Sequence, residues 1–189
     1  MKRLRIVLYS VFGTLLAVAA VLLIVMFTGA YDVAATTPHT PLTRWALGRL
    51  QHASVAARAT EVRGTLPTDP AALREGVEHY QEMCVTCHGA PGVLRGEIGQ
   101  GMNPEPPDLS EEAEDWSDAE LFWIVKHGIK LAGMPAFGPT HSEEQIWDIV
   151  AFVRQLPEMT GSEYQRRVEA LEASEDASAG GPPTAANGS

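Results

Sequence analysis

Cysteine is nearly absent from this chain, with two in 189 residues. Two thiols cannot build a disulfide framework, and they cannot complete a zinc site without paired histidines at finger spacing, which the sequence also lacks. Basic residues are few: 14 Lys and Arg stand against 24 Asp and Glu, a formal net charge of −10. That sign excludes a nucleic-acid-binding surface. No alternating strand pattern appears, so the reading is all-helical.

Charge is missing altogether from Ile6 to Phe27. As a helix this run reaches about 33 Å, enough for a hydrocarbon core of about 30 Å. Residues 6–28 are read as a transmembrane helix behind a basic tip, residues 1–5, that holds Lys2, Arg3 and Arg5. With no matching basic cluster after the run, the positive-inside rule puts the tip in the cytoplasm and the rest of the chain outside. The run is longer than a usual signal-peptide core and its small residues make no convincing A-x-A cleavage site, so an uncleaved anchor is expected.

The two cysteines fall in one stretch, Cys84-Val85-Thr86-Cys87-His88. C-x-x-C-H is the attachment signature of a c-type haem: two thiols add to the two vinyl groups and the following imidazole ligates the iron. On a helix the three-residue spacing puts both sulfurs on one face. A thioredoxin-type pair would want a βαβ context, and the flanks here are helix-like and rich in Gly and Pro. A disulfide closing so short a loop is strained and staples little. The expected orientation also sends both thiols to the oxidising side, where c-type haem is attached in bacteria.

Residues 29–69 read as a linker, extended through Pro38 and Pro41, with a possible amphipathic helix over 42–62. There Leu42, Trp45, Ala46, Leu50, Ala53 and Ala56 recur at three and four residues, among Arg44, Arg49, Arg58 and Arg63. Such a helix suits anionic headgroups, a larger complex, or a solvated spacer. A globular domain is expected over 70–160. Asp69 and Pro70 open its first helix, Ser117 with Glu120 opens a second that ends at Gly128, and Ser142 with Gln145 opens a third. Gly89 to Asp115 reads as loop. Residues 161–189 read as a largely disordered tail, with a short helix over Tyr164 to Ala173 the one exception.

With these features in place, Ala71 to Leu156 resembles a class I (mitochondrial-type) cytochrome c domain, membrane-anchored as in bacterial respiratory chains. The resemblance implies a small all-α fold wrapped around one covalent haem c, preceded here by the transmembrane helix. It implies that Gly76 and Tyr80 mark the crossing of the first and last helices, with Phe152 or Trp147 as the partner aromatic. It makes Pro107, in Pro107-Asp108-Leu109, the carbonyl that accepts from the His88 ring. Met134, in Gly133-Met134-Pro135-Ala136-Phe137, becomes the sixth iron ligand beside His88 as the fifth, in preference to Met102, His127 or His141. Leu109 and Phe137 are expected against the haem, with Trp123, Ile124, Val150 and Val153; Arg95, Lys130 and Trp123 are candidate propionate partners.

A soft thioether ligand favours reduced iron and suits an electron carrier. The expected function is single-electron transfer from a membrane or periplasmic donor to an oxidase or reductase, on the periplasmic face of a bacterial inner membrane. On this reading the protein is not itself an enzyme. The alternatives are a fixed cytochrome subunit of a dehydrogenase complex, and a ligand-binding haem with an open sixth position; as partner, a complex with a dehydrogenase or oxidase is also open. Between Pro70 and Thr160 five Lys and Arg face sixteen Asp and Glu, a field that suits redox partners with a basic docking surface.

Overall fold

A computed structural model describes residues 2–130 and 132–179. It divides into two compact units, one up to Thr37 and one from Pro38 onward. The described residues form helices and turns, with two isolated bridges and no strand.

The first unit is essentially one helix, α1 (Lys2–Thr28), none of whose residues is buried. Its most apolar window has a mean hydropathy of 2.6, and among the described residues it is the one helix long and apolar enough to cross a membrane. A helix apolar on every side has no polar face to give to water.

The second unit begins with α2 (Pro41–Ala59), whose N-cap Thr40 accepts from the Thr43 amide at 3.2 Å. Next comes α3 (Pro70–His79), capped by Asp69 accepting from the Ala72 amide at 3.0 Å. One π-helical turn, Tyr80–Cys84, carries α3 without a break into α4 (Val85–His88). Two short helices, α5 (Glu97–Gln100) and α6 (Leu109–Glu112), punctuate the long loop. Then follow α7 (Asp118–His127), α8 (Glu143–Val153) and α9 (Gly161–Ala179). Both α7 and α8 start on full capping boxes, Ser117 with Glu120 and Ser142 with Gln145. Each box satisfies two of the orphan amides of a helix start from within four residues of sequence.

The crossing of α3 and α8 is the centre of the unit. A Cβ on Gly76 would strike the Asp148 carbonyl oxygen and sit 2.9 Å from Phe152 Cβ, so only glycine lets the backbones approach this closely. Beside it Tyr80 is fully buried, edge-on to Phe152 with ring centroids 5.3 Å apart, and its hydroxyl donates to the Gly89 carbonyl at 2.7 Å. Phe152, rather than Trp147, is thus the aromatic at the crossing; Trp147 stacks on Phe122 at 4.5 Å. The Tyr80 contact ties the helix crossing to the residue that follows His88.

Two segments differ from the sequence expectation. Helix α2 belongs to the compact unit rather than to a linker: it packs against α7, with Val55 and Ala59 buried. The expected tail is helical through Ala179, and α9 packs on α3. Tyr164 and Leu171 are buried, with Val168 half-buried between them, a narrow stripe at four- and three-residue spacing. The Tyr164 hydroxyl donates to Gln81 Oε1 at 2.5 Å, and Arg167 reaches Gln155 Oε1 at 2.6 Å. The part of the expected tail after Ala179 lies outside the described residues.

Candidate functional site

The helix through Cys84, Cys87 and His88 forms one wall of a cavity of about 420 Å³, within the roughly 300–1,000 Å³ usual for cofactor pockets. Neither cysteine is in a disulfide. Burial, followed by the neighbouring Cys87, pushes the Cys84 thiol up to about 12. A redox-active C-x-x-C pair has the opposite shift, toward the thiolate. The loop beyond the motif closes tightly on it: the Gly96 amide donates to the Thr86 carbonyl at 2.9 Å, and a Cβ on Gly99 would come within 2.5 Å of the Cys87 carbonyl oxygen. Gly99 is a residue of this site that sequence reading did not single out.

His88 Nδ1 lies 2.9 Å from the Pro107 carbonyl oxygen. A carbonyl has no proton to give, so Nδ1 carries the hydrogen and Nε2 keeps its lone pair. Burial is the main influence on this imidazole and holds it below its usual range, in the neutral form that ligates metals.

Met134 lies in the wall formed by the loop after α7. The loop folds back on that helix: the Ile129 amide donates to the Met134 carbonyl at 3.2 Å, and the Phe137 amide to the Val125 carbonyl at 3.1 Å. Met102 is in the same wall, its methyl standing where a side chain on Gly133 would go. The apolar lining includes Leu109, Leu121, Ile124, Val125, Phe137, Val150 and Val153. Trp123 is elsewhere, in a separate groove with Arg58, Arg63 and Lys126. It sits one residue from Ile124, about 100° around the helix, while Leu121, Ile124 and Val125 take the cavity side. His127 is exposed and tilted over Trp123. His141 is half-buried, edge-on to His79 and Phe137. Neither lines the cavity, and nor does Lys130.

Arg95 is the one Lys or Arg in this wall among the described residues. It is ion-paired with Glu105, while its Nε is buried without a partner. Sequence reading missed a whole side of the cavity. Gln51 and His52 of α2 line it, and the His52 ring stacks on Trp116 at 4.2 Å with 5° between planes. Trp116 is held in turn by Arg154. The Arg154 guanidinium donates to the carbonyls of Ala113, at 2.7 Å, and Trp116, and its Nε pairs with Asp118 at 2.6 Å.

The donor set suits haem. Two thiols and a neutral imidazole stand on one wall, a thioether is in the wall of another loop, the lining is apolar, and a buried Arg nitrogen is open to a carboxylate. A family model described as "Cytochrome C oxidase, cbb3-type, subunit III" matches residues 71–153, a span that takes in the motif, the Pro107 contact, the Met134 loop and both crossing helices. Residues 71–153 therefore form a class I c-type cytochrome domain, which implies haem binding and electron transfer.

Proposed function

We propose that the chain is a membrane-anchored monohaem cytochrome that carries single electrons on the periplasmic face of a bacterial inner membrane. The observation that supports it is the cavity that has Cys84, Cys87 and His88 in one wall and Met134 in another. Cys84 and Cys87 would hold the haem covalently, each thiol adding across one of its vinyl groups with no leaving group. His88 Nε2 and the Met134 thioether would hold the iron. Bound haem supplies a one-electron ferrous/ferric couple.

The protein's own part is to hold and shield. Pro107 fixes the His88 ring through Nδ1 so that Nε2 keeps its orientation, the apolar lining excludes water, and Arg95 Nε takes a propionate. With His88 and Met134 both holding the iron, no position on it would be left for substrate, which favours a carrier over an enzyme. Helix α1 is the anchor, entered from the cytoplasmic side behind Lys2, Arg3 and Arg5. The acidic surface favours partners with a basic docking face. The description of the matching family supports a second reading, a fixed cytochrome subunit of an oxidase or dehydrogenase complex. Co-purification with a catalytic subunit at constant stoichiometry in mild detergent would favour that reading over the free carrier.

The test is a redox-titrated optical spectrum of the wild type, Met134→Ala and Met102→Ala. Met134→Ala should lose the weak sulfur-to-iron band at the red edge of the ferric spectrum and fall in potential, while Met102→Ala keeps the band. An unchanged spectrum in Met134→Ala, or loss of the band in Met102→Ala, would remove Met134 from the iron.

A further inference from the structure

Helix α2 turns a short face inward and leaves a longer apolar stripe outward. Val55 and Ala59 are buried against the unit and Gln51 and His52 reach the cavity, whereas Leu42, Ala46, Leu50, Ala53 and Ala57 are all exposed. Those five follow one another at four and three residues, one continuous stripe on the side away from the cavity. Leu42 is 71 % exposed and Leu50 66 %, and at the stripe's edge Trp45 is 65 % exposed.

We propose that this outer face of α2 is a docking surface for an anionic lipid bilayer, which it meets lying flat with the stripe in the headgroup region. The charge points to that occupant. Pro41–Ala59 contains Arg44, Arg49 and Arg58 and no Asp or Glu, in a chain of net charge −10. An acidic domain is repelled by an anionic membrane everywhere except where it carries such a patch. Arg49, four residues after Trp45, lies along the same edge of the stripe, and Trp with arginine beside an apolar stripe is the composition of a helix lying in the membrane interface. Reach agrees: the 12 residues between Thr28 and Pro41 span at most about 40 Å, so a helix anchored by α1 cannot leave the neighbourhood of the bilayer. The opposite face of α2 walls the haem cavity, so docking holds that cavity at a fixed height beside partners embedded in the same membrane.

This inference rests on α1 as the anchor, and its test separates the two. The haem-loaded full chain is placed in lipid nanodiscs of phosphatidylcholine alone and of phosphatidylcholine with phosphatidylglycerol, then labelled with hydroxyl radicals. Leu42, Trp45 and Leu50 should label several-fold more slowly in the anionic discs. In an Arg49→Glu variant the docked-to-free ratio should fall roughly fivefold for the arginine charge lost, with Val55 still protected and the haem spectrum unchanged as evidence of folding. Met26 in α1 reports the anchor: rapid labelling there overturns the anchor reading. A protected Met26 together with a stripe that labels equally fast in both lipids overturns the docking surface alone. A stripe open in anionic discs but covered in native membranes also overturns it, because a protein would then be the occupant.

Discussion

Replacing Gly76 by alanine puts a methyl carbon into the α3–α8 crossing, against the Asp148 carbonyl oxygen and 2.9 Å from Phe152 Cβ. Carbon atoms rest at about 3.5–4.0 Å, so the helices must part by roughly 1 Å or the methyl must strain against backbone that cannot rotate away. Overpacking of this kind costs about 1–3 kcal/mol, and a backbone obstacle puts Gly76→Ala at the upper end. For a unit of this size that lowers Tm by roughly 10 °C. The control is Gly48→Ala in α2, where an added Cβ meets nothing within 4 Å and helix propensity should give a gain of about 0.5–1 kcal/mol. Thermal melting of the haem-loaded chain in detergent, followed by far-UV circular dichroism, measures both. A loss of less than about 2 °C for Gly76→Ala, or equal effects for the two substitutions, would refute the reasoning.

Two more predictions concern groups around the site. Burial, then the charges of Glu75, Glu144 and Asp69, pushes the Asp148 carboxyl up to about 6. The folded chain therefore holds this proton more tightly than the unfolded one. The contribution is fully present below about pH 4 and lost as pH rises through about 6. Asp148→Asn should remove that pH dependence and raise neutral-pH stability by on the order of 1 kcal/mol after allowance for solvent screening; urea midpoints at acid and neutral pH check it, and a destabilised variant at neutral pH contradicts it. Arg154→Ala takes the guanidinium from the Trp116 carbonyl and leaves the Ala113 carbonyl only the Trp116 amide, at 3.4 Å; it should cost about 2 kcal/mol, with faster amide exchange over residues 113–118. Arg154→Lys should recover little, because one ammonium cannot span three acceptors that a planar fork reaches together; full recovery would show that charge alone matters.

Local chemistry was legible in the sequence and long-range packing was not. The capping boxes at Ser117 and Ser142 and the cap at Asp69 are complete within four residues, so the letters alone place α7, α8 and α3. The C-x-x-C-H stretch raises the expectation of a c-type haem within five residues for the same reason. Helix α2 misleads because its obvious apolar stripe is the exposed one, and the face that packs inward, with Gln51, Val55 and Ala59, has little hydrophobic signal. The cavity wall made by Gln51 and His52 was invisible for that reason. Helix α9 was read mostly as tail because its buried stripe is narrow and set among charged residues. Trp123 was assigned to the cavity on size and aromaticity, but its place on α7 turns it toward another groove.

The account depends on two thioether bonds between the chain and one porphyrin. Intact mass spectrometry of the denatured, purified protein tests this directly, with Cys84→Ser and Cys87→Ser beside the wild type. The wild type should carry the mass of its polypeptide plus one haem, retained through denaturation, and the doubly substituted chain should carry none. A wild-type mass equal to the amino acids alone, or a pigment that separates on denaturation, contradicts it.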